Sequence, residues 1–258
     1  MNRVAYQHFT LKAIKFFLFF LLFFICNKTH SHNPEDFMIA EIERGQMYFE
    51  NEQIAAEYGA ALKRQRIRRL AAMPFYKKFY IFVKAGFEHI IPEGVDHILF
   101  VLGLFFSCIT FRSLLWQVTA FTVAHSITLV LAAQGLVQLR GEIVEAVIAL
   151  SIVWVAVENC IYKKTSRWRY LVVFSFGLLH GLGFAALLTQ YGLPKENFIS
   201  MLLAFNLGVE FGQLAVLLIA FILIKKIMNK NWYSDEIKIP ASLIIAAIGL
   251  FWFIERVF

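Results

Sequence analysis

Long apolar segments separated by short polar loops constrain this chain more than any other feature of its sequence. From residue 92 onward, six segments of about 17–25 residues are apolar enough to cross a bilayer as helices. They are residues 92–111, 115–134, 143–161, 170–189, 198–223 and 239–255. With 59% hydrophobic and only 17% charged residues, the composition is also that of a membrane protein. The sequence therefore predicts an all-α, polytopic membrane helical bundle with six core transmembrane helices.

Two segments of different character precede this bundle. Residues 1–31 combine a basic start with an apolar core, FFLFFLLFFIC, that is short for a spanning helix. This pattern predicts a signal sequence, with a retained N-terminal anchor as the alternative. Residues 32–85 are helix-prone, acidic early and basic late, and predict a short extracytoplasmic helical segment before the transmembrane domain at 86–258. Cleavage before His32 would leave a chelating amine and imidazole at the new terminus.

The net charge of +7 is explained by membrane topology rather than by nucleic-acid binding, because the basic residues cluster in loops. Twelve Lys and Arg residues fall on the predicted cytoplasmic side, in the N-terminal tail and three loops, against three outside. The segment 27–84 carries ten more, which weakens the bias if it is translocated. We expect a multi-pass protein of the inner membrane with an extracytoplasmic N-terminal segment. The three cysteines show no CxxC pairing, so no thiolate metal site or disulfide framework is predicted.

Charged residues and histidines stand at the start of the first predicted span, in the stretch GFEHIIPEGVDHILF. Pro92 suits the first position of a helix, which would put Glu93 at the second position, where a carboxylate complements the helix dipole. Asp96 then lies about one turn inside the span, deeper than a capping residue needs to be. The remaining polar residues of this stretch are Glu88, His89 and His97.

Two further histidines lie in the middle of predicted spans. His125 has Thr122 and Ser126 beside it, and hydroxyls of this kind also bond to backbone carbonyls. His180 stands between Gly177 and Gly181, a G-x-x-x-G spacing that permits close approach of a neighbouring helix. Packing explains the glycines but not the imidazole between them.

The fifth predicted span carries a polar stripe, because Asn206, Glu210 and Gln213 recur at helical spacing. A carboxylate at the depth of Glu210 is costly and normally marks a pathway or a partner. Glu145 and Glu158 lie near opposite ends of the third span, where either side chain can reach an interface.

Taken together, these residues predict a shared site. Unpaired imidazoles and acids on separate helices would each cost several kcal/mol in hydrocarbon, so we expect them to face inward toward water or a bound cation. Imidazole and carboxylate without thiolate suit Zn²⁺, Ni²⁺, Co²⁺, Fe²⁺ or Mn²⁺.

Five sequence blocks occur in an order that resembles the HupE/UreJ family of bacterial membrane proteins. They are EHIIPEGVDHILF, FTVAHSITL, VEAVIALSIVWVAVEN, FGLLHGLGFA and FNLGVEFGQ, within about residues 86–215. Members are associated with hydrogenase and urease gene clusters and are regarded as nickel permeases or metal accessory proteins. The resemblance implies metal handling, together with metalloenzyme-maturation partners. The residues that match the polar blocks of the family are His89, Asp96, His97, His125 and His180. Many relatives have a His-rich mature N-terminus, of which this chain keeps only THSH.

Three functions remain open from the sequence. The first is a divalent metal permease or accessory protein for Ni, Zn or Co, with pathway or supporting residues Glu88, Thr122, Ser126, Glu158, Asn206 and Glu210. The second is an intramembrane zinc hydrolase acting on a lipid or membrane-embedded peptide, with Glu210 or Glu88 as base. Neither H-E-x-x-H nor G-x-S-x-G occurs in the chain. The third is a non-catalytic protein whose polar residues only lock the bundle in the lipid bilayer.

Overall fold

Helices form every regular element in the part of the chain that the structure describes. This computed structural model describes residues 52–107, 110–137, 139–162, 168–191 and 197–258, so the predicted signal sequence or anchor lies outside it. In chain order the elements are α1 (Glu52–Ala72), α2 (Phe75–Ile90), α3 (Val95–Ser107), α4 (Phe111–Ala133), α5 (Gly141–Ile161), α6 (Arg169–Tyr191), α7 (Phe198–Ile224), a π-helical turn (Ser234–Lys238) and α8 (Ile239–Val257).

The short helix α3 forms the centre of the bundle. Every residue from His97 to Ser107 is buried, as expected for a helix that is apolar on all sides. It contacts α4, α5, α7 and α8. The hydrophobic core is therefore arranged around α3, and the longer helices surround it.

Glycines allow the outer helices to pack in close pairs. The main pairs are α2 with α7, α4 with α6, and α5 with α8. A Cβ added at Gly86 would overlap the backbone carbonyl of Phe205, and one added at Gly208 would overlap that of Val83. The same holds for Gly177 against the α4 backbone, which agrees with the close helix approach predicted for the glycines around His180.

The chain breaks between α2 and α3, and here the sequence prediction was wrong in detail. The two helices meet at 70°, and α3 begins at Val95, so Pro92 and Glu93 lie in the turn that precedes it. Gly94 accepts the first helical hydrogen bond, from the amide of Ile98, and a Cβ there would overlap the carbonyl of His89. The predicted span 92–111 is thus a 13-residue helix that follows a bent connection.

Four helices in the described ranges are long and apolar enough to cross a membrane: α4, α5, α7, and α8 with its π-helical turn. The bent pair α2–α3 makes a fifth if it counts as one span. In α6, the apolar stretch Arg169–Gly183 is shorter than a span. The chain is therefore an all-helical, multi-pass membrane protein in its described part, and the prediction of six spans is not confirmed. The predicted domain boundary at residue 86 falls inside the continuous helix α2.

Candidate metal centre

Four histidines from four helices meet inside the bundle. His89 ends α2, His97 lies in the first turn of α3, and His125 and His180 occupy the middle of α4 and α6. The ring centroid of His97 lies 4.9 Å from that of His89, 5.9 Å from that of His125 and 5.1 Å from that of His180. His125 is fully buried, and His97 and His180 are 4% and 1% exposed. The structure thus brings together four histidines that the sequence analysis singled out in three separate segments.

Local features of the chain explain why these rings meet. The bend at Gly94 lets α2 end beside the start of α3, which places His89 against His97 although the two residues are on different helices. On the other side, Gly181 lies against the backbone carbonyl of His125 and the side chain of Thr128. The absence of a side chain at this position allows α6 to carry His180 close to α4.

Two of the rings are oriented through their Nδ1 atoms. His180 Nδ1 lies 2.8 Å from the carbonyl oxygen of Phe176, which can only accept, so Nδ1 carries the proton. His97 Nδ1 lies 3.1 Å from Asp96 Oδ1, which also accepts from the backbone N–H of His97 at 2.9 Å. The Nε2 atoms of His97 and His180 and both ring nitrogens of His125 are buried without a hydrogen-bond partner. Imidazoles held this way present an Nε2 lone pair, as metal-ligating histidines do.

The donor set fits a transition metal, although the nitrogens do not converge in this arrangement. Within the described ranges, no three His, Cys, Asp or Glu side chains form a ready-made metal site. A metal about 2.1 Å from an imidazole nitrogen lies about 3.2 Å from the ring centroid, so two rings on one ion have centroids within about 6.4 Å. All three separations from His97 are below that limit. Each of the other three rings is therefore close enough to His97 for that pair to share an ion, whereas the centroids of His89 and His125, at 6.5 Å, lie just beyond the limit.

Asp96 is less deeply placed than the sequence predicted. Because α3 begins at Val95, Asp96 belongs to the first turn of that helix, where a carboxylate complements the positive end of the helix dipole. Its side chain is 27% exposed, whereas that of His97 beside it is 4% exposed. Asp96 is the acid of the cluster that remains accessible.

Aromatic rings cover another side of the cluster. The ring of Phe121 lies 4.9 Å from that of His180 and 4.9 Å from that of Phe100, and Phe100 also contacts Phe176 at 6.2 Å. We call Phe100, Phe121 and Phe176 the aromatic wall. Sequence reasoning missed it because phenylalanines in an apolar segment carry no signal of their own. Their helical spacing from His97, His125 and His180 is the one hint available.

The predicted polar stripe of α7 faces α4. Thr119 donates a hydrogen bond to Glu210 Oε1 at 2.8 Å, and Thr122 donates to Gln213 Oε1 at 2.9 Å. Asn206 is buried at 6% exposure, and neither polar atom of its side chain has a partner. Glu210 and Gln213 therefore contact α4, and helical spacing puts Asn206 on the same face of α7.

The other predicted supporting residues have different partners. Glu88 forms an ion pair with Lys84 on its own helix at 3.3 Å, with both side chains exposed. Ser126 donates to the carbonyl of Thr122 at 2.6 Å. Glu158 forms a buried ion pair with Arg169 at 2.9 Å. The observed contacts of these three residues are therefore structural rather than contacts with the imidazoles.

Sequence reasoning also missed Arg169, which it placed in a basic loop. Arg169 is the first residue of α6, is 3% exposed, and donates from Nε to Gln117 Oε1 at 3.2 Å. The usable signal was a carboxylate near the end of one apolar segment, Glu158, followed by an arginine at the start of the next. Counting the positive charges in each loop, as is done to predict membrane topology, does not reveal such a pair.

Comparison with known proteins identifies the chain at the family level. No curated protein and no solved structure matches it. A family model described as "HupE / UreJ protein" matches residues 64–256, which covers the last nine residues of α1, all of α2 to α7 and all but the last residue of α8. That stretch contains all four histidines of the cluster and the polar stripe of α7. The chain belongs to the HupE/UreJ family.

Proposed function

We propose that this protein handles nickel or cobalt in the membrane, as a permease or an accessory protein, and that it binds the ion at the four-histidine cluster. The observation that carries this proposal is the meeting of His97, His125 and His180 in the bundle interior with ring nitrogens that have no partner. Leaving such nitrogens unsatisfied in a buried place is costly unless a ligand uses them. The family assignment points to the same role.

The chemistry of the cluster selects the class of ion. Neutral imidazole binds Ni²⁺, Co²⁺ and Zn²⁺ well, whereas Mg²⁺ and Ca²⁺ prefer oxygen ligands. The Irving–Williams order places Ni²⁺ above Co²⁺ for a given set of nitrogen ligands. Nickel is therefore the first ion to test.

The residues around the rings have separate roles in this proposal. Asp96 accepts from His97 and the carbonyl of Phe176 accepts from His180, so each fixes the tautomer that leaves Nε2 free to bind an ion. The partly exposed carboxylate of Asp96 also attracts a cation to the buried rings. Transport needs ligands that bind strongly enough to replace hydration water yet release the ion again.

The zinc hydrolase alternative has no specific observation in its favour. Of its two candidate bases, Glu88 is paired with Lys84, and Glu210 accepts a hydrogen bond from Thr119. We further propose an inner-membrane location with the N-terminal segment outside, since this orientation puts the loop around 225–233 in the cytoplasm. There it would meet proteins that mature nickel enzymes.

Titration of the purified protein with Ni²⁺ tests the proposed function. We expect the wild type to bind Ni²⁺, and the double variant His125→Ala/His180→Ala to lose that binding while it remains folded. The control is Tyr76→Ala/Tyr80→Ala, which removes two exposed rings of α2 and should leave Ni²⁺ binding intact. Equal binding by the wild type and the cluster variant would contradict the proposal.

A further inference from the structure

Polar side chains connect the α4–α7 interface in two successive hydrogen bonds. Thr122 donates to Gln213, and about one turn away along both helices Thr119 donates to Glu210. The two hydroxyls satisfy only part of the hydrogen-bonding capacity of Gln213 and Glu210. Gln213 Nε2 and Glu210 Oε2 are buried without a hydrogen bond. Asn206, one turn earlier on α7, has both side-chain polar atoms in the same condition.

This set contains more unsatisfied groups than a helix contact requires. Asn206 is 6% exposed and Gln213 is 1% exposed, so water at the surface does not satisfy them. A buried amide without a partner costs free energy, and a carboxylate inside a membrane bundle costs more. If the groups only joined α4 to α7, apolar residues of similar shape would do so at lower cost. Their free atoms therefore indicate a ligand.

The set begins next to the histidine cluster at the pair of Thr122 and Gln213. Thr122 precedes His125 on α4 by three residues, a rise of about 4.5 Å. A cation at the imidazoles would thus meet the α4–α7 groups within about one helical turn.

Exposure increases along the two hydrogen-bonded pairs with distance from the cluster. His125, Thr122 and Gln213 are buried, whereas Glu210 is half-buried and Thr119 is exposed. On the side of α3 and α6, by contrast, the aromatic wall covers the rings. A polar path from the cluster to the surface of the bundle therefore runs between α4 and α7, in addition to the partly exposed carboxylate of Asp96.

We propose that Glu210 forms a second binding site for the divalent metal ion, which we call the station. The ion moves between the histidine cluster and this site past Thr122 and Gln213. This inference rests on the proposed function and assigns the ion its next ligand. Oxygen ligands from a carboxylate, an amide and hydroxyls hold Ni²⁺ or Co²⁺ more weakly than imidazole does. A weaker oxygen site beside a stronger nitrogen site lets the ion leave the cluster in small steps.

Transport of radioactive Ni²⁺ into proteoliposomes tests the station, with the same pH on both sides so that proton movement supplies no driving force. In Glu210→Gln the amide still accepts from Thr119, so the fold is kept while the charge is lost. We expect the initial uptake rate to fall about tenfold or more, because one full charge no longer attracts the cation. The affinity of the detergent-purified variant for Ni²⁺ should stay within about threefold of the wild type, since the imidazoles are unchanged. The matched control is Glu145→Gln, an exposed carboxylate beside Arg256 whose loss should not change the rate.

The outcomes separate this inference from the proposed function. Unchanged uptake in Glu210→Gln would overturn the station while leaving the cluster intact. A loss of Ni²⁺ affinity as large as that of His125→Ala would place Glu210 inside the histidine site and also overturn it. Wild-type protein that binds Ni²⁺ without carrying it would remove the transport step but not the metal binding. Wild-type protein that binds none would remove both proposals.

Discussion

At the scale of single residues, the histidines of the cluster differ in what holds their rings. A carboxylate holds His97, and a backbone carbonyl holds His180. His125 has no hydrogen bond at either nitrogen, although it is fully buried. It is positioned by its neighbours, including the ring of Phe121 stacked at 6.2 Å. Substitutions around His97 should therefore act through the hydrogen bond, whereas those around His125 should act through packing.

Asp96→Asn tests the hydrogen bond to His97. The amide oxygen can still accept from the backbone N–H of His97, but the negative charge beside the ring is lost. We expect the affinity for Ni²⁺ to fall about 10–100-fold, as for other partners of ligating histidines. Calorimetric titration measures this directly, with the exposed Asp235→Asn as the control for a lost surface charge. The same affinity in Asp96→Asn and wild type would show that Asp96 neither tunes nor attracts the ion.

At the scale of elements, α5 and α6 are joined by an ion pair that lies apart from the cluster. Glu158 and Arg169 meet at 2.9 Å with side-chain exposures of 14% and 2%, and Gln117 adds α4 to the contact. On α4, Gln117 is eight residues from His125, about 12 Å along the helix. This position near the ends of the helices, and the pairing of the carboxylate with a guanidinium, favour a structural role over one in the metal pathway.

Comparing two glutamates measures what burial adds to such a pair. Glu142 meets Arg140 at the same 2.9 Å, but both side chains are about three-quarters exposed. Glu158→Gln leaves the charge of Arg169 buried with weaker compensation, so we expect a loss of about 3 kcal/mol or more. Glu142→Gln should cost less than about 1 kcal/mol. Unfolding of both variants in detergent gives the comparison. Equal losses would mean that Arg169 is stabilised by groups other than Glu158.

At the scale of the whole molecule, the sequence predicted the parts whose signal is local. Helices α4, α5, α7 and α8 agree with predicted spans to within a few residues, because the apolar length of a segment is set by its own composition. His125 and His180 stood out for the same reason, as polar residues within apolar segments. Their meeting depends on helix packing, which no single segment encodes.

The parts that the sequence did not predict depend on contacts between segments. Pro92 suits the first position of a helix, so the pattern indicated a helix start where the chain instead turns by 70° before α3 begins at Val95. The predicted depth of Asp96 was wrong for the same reason, because α3 begins at Val95 rather than at Pro92. The burial of Arg169 depends on Gln117 and Glu158 from two other helices. A pattern read along one segment does not contain these partners.

The cluster joins four helices, so binding of an ion there should stabilise the fold as a whole. A ligand that binds only the folded state at 100 times its dissociation constant adds about 2.7 kcal/mol. We expect Ni²⁺ to raise the unfolding temperature of the detergent-purified protein, and Mg²⁺ at the same concentration to leave it unchanged because imidazole is a poor ligand for Mg²⁺. In His125→Ala the rise should disappear, measured against the unfolding temperature of that variant without metal. If Ni²⁺ stabilises His125→Ala as much as the wild type, the ion binds elsewhere. An ion held between α2, α3, α4 and α6 must act on their packing together, so a shift that depends on His125 would place it at the cluster.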